Sequence, residues 1–152
     1  MKIDNLVRIV DGVLQTTPSI DAFEEMLFDS AKISRGDLFI DADGSLESIE
    51  EAIAKGAYTI LTSLDFHGSD DEIAWIKADE IPLCIIKILR FFTTQKSLSI
   101  ILVSPLQASF LNAIQSEKSI KVLNGTLGHI AKELFKAREN EAFCLMDEAI
   151  VS

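Results

Sequence analysis

The chain is poor in positive charge: 14 Lys and Arg stand against 24 Asp and Glu over 152 residues, a formal net charge of −10. The basic residues form no cluster, and an acidic surface without one repels a phosphate backbone, which excludes nucleic acid as a partner. Long apolar runs are also missing. The greasiest stretch, "IPLCIIKILRFF", is broken by Lys87 and Arg90, short of the roughly 18 residues that cross a bilayer. The start, "MKIDNLVRIVDG", carries acids and lacks the basic opening and small-residue cleavage site of a signal peptide. A cytoplasmic protein with no membrane partner is expected. There are two cysteines, Cys84 and Cys144. Each sits in an apolar run that reads as a strand, where a buried reduced thiol is the ordinary outcome rather than a disulfide or a metal pair.

What is present is enough to fold. A hydrophobic share of 48% with only three prolines supports a real core built from one ordinary domain or two small ones. Short β-rich runs alternate with helical patterns, which predicts an α/β fold with a mostly parallel sheet built of βαβ units. The strand candidates are "DLFIDA", "YTILTS", "PLCIIK", "SLSIILVS", "SIKVLN" and "AFCLMD". In "SLESIEEAIAKG", Leu46, Ile49 and Ile53 form one helical stripe, acids fill the first half, and Gly56 supplies a stop. "SDDEIAWIK" offers Ser69 and Glu72 as a capping box and predicts a helix start. "TLGHIAKELFKAR" puts Leu127, Ile130, Leu134 and Phe135 on one face. The polar "TTQKS" at 93 to 97 is the nearest thing to a boundary.

The stretch "KISRGDLFIDADG", residues 32 to 44, admits three readings. As a calcium loop with Gly44 in sixth place it would need a ligand at Phe39, beside Asp41, Asp43 and Glu50. Phenylalanine cannot serve. As an integrin-binding Arg-Gly-Asp it would need an exposed extracellular loop, for which no export signal is present. The third reading is a turn through Ser34, Arg35, Gly36 and Asp37 that delivers the chain into a strand.

These residues carry a resemblance. "FDSAKISRGDLFIDADG…SIEEAIAKGAYTILTS" resembles the N-terminal, substrate-binding domain of the Mur ligases, ATP-dependent enzymes that add amino acids to UDP-N-acetylmuramoyl peptides. The ligase that adds D-alanyl-D-alanine is the nearest in pattern. Asp29, Ser30, Gly36, Asp37, Leu38 and Phe39 match the family pattern, as do Ala52, Ile53, Gly56 and Ala57. The resemblance implies a Mur-ligase N-terminal-like domain over 1–96, with Asp29, Ser30 and Asp37 at the substrate site. On the residues alone, Asp29 and Ser30 anchor the turn equally well and Asp37 caps it. Ala31 stands where the family has arginine and Arg35 where it has proline. The following loop is also shorter by about four residues in the motif alignment, at a place where loops carry binding.

Over 97–152 the resemblance implies a truncated nucleotide-binding-like βαβαβ segment. The family places a glycine-rich phosphate loop between the strand and helix that here read "LSIILV" and "ASFLNAIQ". This chain has "SPLQ" instead, without the glycines, lysine and magnesium-binding hydroxyl in sequence that such a loop requires. Ser104, Pro105 and Gln107 read as a helix start, with serine as N-cap, proline first in the helix and glutamine closing a capping box. No ATP cofactor, no ligase activity and no catalytic residue are expected. Because the chain stops after "AFCLMDEA", most of a central domain and a C-terminal domain are expected to be missing.

Other residues offer weaker signals. "NGTLGH" could cradle an anion through Asn124, Gly125, Thr126 and Gly128 at a helix start, or be a turn capped by Thr126 or Asn124. His129 reads as a surface or satisfied histidine. His67 in "LDFHGSDDE" could be imagined as a metal ligand, but one histidine and helix-start acids are ordinary loop composition, and no metal is expected. Asp147 and Glu148 end the last strand candidate. The leading expectation is a non-catalytic relative that binds a UDP-sugar-peptide or regulates the cell-wall precursor pathway. The alternatives are a protein-interaction scaffold or homo-oligomer burying Trp75 or Phe91 and Phe92, and an enzyme with new chemistry at "NGTLGH".

Overall fold

The computed structural model describes residues 1–68, 71–113 and 120–146. It divides the chain into two compact units, Met1–Ile85 and Ile86–Ser152.

The first unit runs α1 (Ile3–Val10), β1 (Val13–Leu14), β2 (Met26–Leu27), a 3-10 turn (Ser30–Lys32), β3 (Leu38–Ile40), α2 (Leu46–Ala54), β4 (Thr59–Thr62) and β5 (Ala74–Lys77). The strand order is β1-β5-β4-β3-β2. Pairs β2–β3, β3–β4 and β4–β5 are parallel, and β1 adds antiparallel to β5. Ile40, Ile60, Leu61 and Ile76 are fully buried, as central parallel strands covered on both faces must be.

The connection from β3 through α2 to β4 explains why the matched residues recur together. Ser45 caps α2 by accepting from Ser48 N, and Ile49 and Ala52 are buried on its inner face. The helix ends in a Schellman motif: Gly56, at φ +104°, donates to Ile53 O and Ala57 donates to Ala52 O, both at 2.9 Å. Gly36, at φ +94°, then donates to Gly56 O at 3.0 Å. A side chain at Gly56 would come within 3.1 Å of Arg35 Cα, so the two glycines permit a close crossing of the turns before β3 and β4.

Two elements differ from expectation. "AWIK" is the strand β5, not a helix; it lies between β1 and β4, where Ala74, Trp75 and Ile76 are all buried. Ser69 of the expected capping box lies outside the described residues. "PLCIIK" is not a strand but part of the 15-residue helix α3 (Ile81–Gln95). The buried residues Cys84, Ile85, Ile88 and Leu89 recur at helical spacing, and Pro82 falls in the first turn, where a missing N–H is tolerated. A continuous apolar run has no period that separates strand from helix. Both cysteines are buried and outside any disulfide, Cys84 on α3 and Cys144 on a strand.

The second unit contains β6 (Ser99–Leu102), α4 (Pro105–Ala113), β7 (Ile120–Leu123), α5 (Leu127–Phe135) and β8 (Ala142–Leu145). Its sheet is separate and wholly parallel, in the order β6-β8-β7. Phe143, Cys144 and Leu145 on the central strand and Ile130, Ala131 and Leu134 on α5 are among the buried residues of this unit. Lys96 Nζ donates to Phe135 O and Ala137 O, both at 2.8 Å, satisfying carbonyls at the end of α5. Partial burial holds the Lys96 amine below the usual lysine range, opposed by the charge of Glu141.

Candidate functional site

The three residues implied as a substrate site each bond within the chain. Asp37 is buried; its Oδ2 accepts from Ser34 N at 2.8 Å and its Oδ1 from Glu25 N at 3.2 Å. Asp29 Oδ1 accepts from Ala31 N at 3.1 Å, and its Oδ2 meets Lys32 Nζ at 2.7 Å. Ser30 Oγ donates to Glu51 Oε2 at 2.5 Å. That hydroxyl and the Lys55 ammonium, 3.0 Å away, hold the Glu51 carboxyl below the usual range. Asp37 thus closes the Ser34–Asp37 turn, while Asp29 and Ser30 tie the 3-10 turn to itself and to α2. Arg35 points its Nε at Tyr58 Oη, 2.5 Å away, which anchors the Arg-Gly-Asp stretch as a structural turn.

The carboxyl ends of β3 and β4 carry a buried pair that the sequence did not single out as a pair. Asp41 and Thr62 are buried, and Thr62 Oγ1 donates to Asp41 Oδ2 at 2.7 Å. Asp41 Oδ1 accepts from Ser45 N at 3.0 Å, and Thr62 Oγ1 accepts from Leu64 N at 3.1 Å. These bonds brace the loop entering α2 against the loop leaving β4. Asp41 is therefore occupied as a loop brace rather than as a calcium ligand.

Between those two loops opens a cavity of about 770 Å³, within the range of small-molecule sites. Its walls are largely apolar, with Leu46, Ile49 and Ile53 of α2 facing Leu64, Phe66 and Trp75. Phe66 lies 5.4 Å from Trp75 by ring centroids, and Trp75 Nε1 donates to Leu64 O at 2.9 Å. Glu50, Ser63, Asp65 and His67 supply the polar groups. Asp65 is already engaged by Lys77 Nζ at 2.8 Å and Gln15 Nε2 at 2.9 Å, which lower its pKa. The signal available in the sequence was the aromatic pair Phe66 and Trp75 flanking a glycine-containing loop, but the wrong helical assignment of "AWIK" hid it.

At the start of α4 the expected capping box is formed. Ser104 N donates to Gln107 Oε1 at 2.9 Å and Gln107 N to Ser104 Oγ at 3.3 Å. Pro105 has no N–H, and Ala108 N donates to Ser104 O at 2.9 Å. At the start of α5, Thr126 Oγ1 accepts from His129 N at 3.3 Å. Gly125 takes φ +118°, and Asn124 O lies 3.1 Å from His129 Nδ1. The turn before α5 is thus capped by Thr126, and Gly128 lies in the first turn of the helix with open space around it. Asp147 and Glu148 lie outside the described residues.

A five-stranded, mostly parallel sheet in one unit and a parallel βαβαβ sheet in the next define a Mur-ligase-like fold, and solved structures bear this out. The chain is similar to MurF from Acinetobacter baumannii, with a TM-score of 0.69 at 15% identity over 95% of this chain and 35% of that one. MurF from Thermotoga maritima in complex with ADP gives 0.63 at 17% identity over 84% of this chain and 34% of that one. A UDP-N-acetylmuramoyl-L-alanyl-D-glutamate–2,6-diaminopimelate ligase gives 0.58 at 13% identity over 95% and 36%. The chain thus spans about a third of the length of these enzymes. No protein-family model matches it, and no curated protein does so. Among the described residues, no helix is long and apolar enough to cross a membrane.

Proposed function

We propose that this chain is a non-catalytic Mur-ligase-like protein that acts as a binding or regulatory module in the cell-wall precursor pathway and does not perform ATP-dependent ligation. The observation that carries this reading is the capping box between β6 and α4. The resemblance puts a phosphate loop at that point, and here the N–H groups of Ser104 and Gln107 are taken up by the capping box while Pro105 has none to offer. The second unit then serves as a nucleotide-binding-like remnant without its motor. With Asp29, Ser30 and Asp37 holding turns, contact with a precursor falls to the loops at the carboxyl ends of β3 and β4, the usual ligand edge of a parallel sheet.

Thermal unfolding in the presence of UDP, of UDP-N-acetylmuramoyl tripeptide, and of ATP with magnesium tests the reading. A ligand at about 100 times its Kd adds about 2.7 kcal/mol, a shift of several degrees. The muramoyl nucleotide is expected to raise the midpoint and ATP with magnesium to leave it unchanged. Stabilisation by ATP would overturn the loss of the motor; no response to the muramoyl nucleotide would overturn precursor binding.

A second reading, a protein-interaction scaffold, is favoured by one observation. Leu106 and Phe110 of α4 are 81% and 65% exposed, and Ile101 and Leu102 of β6 are exposed beside them in sequence. Exposed apolar residues in such a group mark contact surfaces. Trp75 is buried in the first unit and is not available for such a contact.

A further inference from the structure

We infer that two copies of this chain associate through the second unit, pairing their β6 edges antiparallel about a two-fold axis. The inference rests on the second reading above and deepens it by naming the partner of the exposed face. Among the described residues, β1 and β2 are the edges of the first sheet and β6 and β7 those of the second. An unpaired edge invites another strand, and proteins protect such edges by shortness or by charge. Strands β1 and β2 have two residues each, and β7 carries Lys121. Strand β6 runs over four residues, Ser99–Leu102, and has neither protection. Between Lys96 and Glu117 no residue is charged, in a chain that is 25% charged.

The backbone fixes the register. Ser99 N and Val103 N donate to Glu141 O and Leu145 O on the β8 side, both at 3.0 Å. Backbone groups alternate along a strand, so those of Ile100 and Leu102 point away from β8. A two-fold axis at Ile101 pairs Ile100 with Leu102 of the second copy and Leu102 with its Ile100, so the outward N–H and C=O groups of both residues are satisfied. It also sets Ile101, 49% exposed, opposite itself as an apolar cross-strand pair. The two three-stranded sheets become one of six. The charge-free surface continues onto α4, where Val103, Leu106, Phe110 and Leu111 line a depression of about 520 Å³. A basic partner would be recognised by acidic residues, and this face offers none. Copies that each carry a net charge of −10 repel one another least across a neutral face, and such a face is complementary to itself, as an isologous contact requires. The contact is small, on the order of 1,000 Å² in total, the class of weak, micromolar association.

Sedimentation velocity of the full chain from about 5 to 500 µM is expected to show a monomer–dimer equilibrium that tightens when salt screens the repulsion between copies. Amide exchange followed by NMR should slow at Ile100 and Leu102 as concentration rises, and stay constant at Ser99 and Val103, which already bond within the sheet. Ile101→Lys brings two like charges together at the axis and should weaken the dimer at least about tenfold, with the circular dichroism of the monomer unchanged. The exchange measurement needs no variant and decides the matter if Ile101→Lys fails to fold. A monomer at every concentration, a dimer whose Ile100 and Leu102 amides stay unprotected, or a dimer undiminished in a folded Ile101→Lys overturns the proposal. Nile red, a neutral dye, separates that failure from failure of the scaffold reading. A monomer that binds the dye, and loses it in Leu106→Glu, overturns the second copy and keeps an apolar face open to another partner. A monomer that does not bind it overturns both.

Discussion

The two units use the same strand–helix–strand grammar and end with different surfaces. In the first, every residue of β3 and β4 is buried, and its sheet has three parallel strands inside the edges β1 and β2. In the second, only the central strand β8 is mostly buried, while β6 exposes Ile101 and Leu102 and β7 exposes Ile120. A three-stranded sheet has two edges and one interior strand, so most of its residues are edge residues. Identical local rules therefore build a closed core in one case and leave apolar side chains in water in the other, and ligand binding is to be sought by a cavity in the first unit and by a surface in the second.

Core substitutions should separate the units most strongly. Phe143→Ala on β8 and Leu61→Ala on β4 remove side chains with at most 1% exposure and should each cost about 3 to 4 kcal/mol in denaturant unfolding. Leu106→Ala on α4 should change stability by less than about 0.5 kcal/mol. A large loss at Leu106 would mean that the exposed face is covered in solution.

Next in size is the brace at the carboxyl ends of β3 and β4. Asp41→Ala leaves Thr62 Oγ1 and Ser45 N without their acceptor, a loss of about 2 to 3 kcal/mol. Retained stability would show that the brace is dispensable. Smaller again are the helix starts: Ser104→Ala and Thr126→Ala each remove a capping oxygen and should cost about 1 kcal/mol. Thr126→Ser, which keeps the oxygen, should restore most of it.

The smallest effect is electrostatic. The Glu51 carboxyl sits below its ordinary value of 4.5, held there first by the Ser30 hydroxyl and then by Lys55. A lowered folded-state pKa contributes stability that is present above the unfolded value and lost as pH falls through the folded one. Glu51→Gln should therefore flatten the acid limb of the stability curve below about pH 4.5 and change little at neutral pH, because the pair is exposed. An unaltered acid limb would show that the pair is solvent-screened.

How much was legible beforehand follows from what each signal measures. The turn through Gly36 and Asp37, α2 and its stop at Gly56 were legible because they rest on local chemistry: a capping serine, a stripe at helical spacing and glycines at positive φ. The same residues gave the family resemblance, and the structure places Asp29, Ser30, Gly36, Asp37 and Gly56 in turns that hold the βαβ crossing together. "AWIK" and "PLCIIK" were misassigned because both are apolar runs without a clean period, and only their neighbours separate them.

The sequence by itself determined the α/β alternation, the helix and strand on either side of Gly56, and the capping box at the start of α4, since each depends on residues a few positions apart. Tertiary structure alone decided that Ala74–Lys77 is a central strand, that Ile81–Gln95 is a helix and that there are two sheets rather than one. It also decided that Phe66 and Trp75 wall a cavity with Glu50 at its rim. The physical reason is that an apolar run is satisfied by burial in either conformation, so the choice belongs to the surfaces it meets, which come from segments far away in the chain.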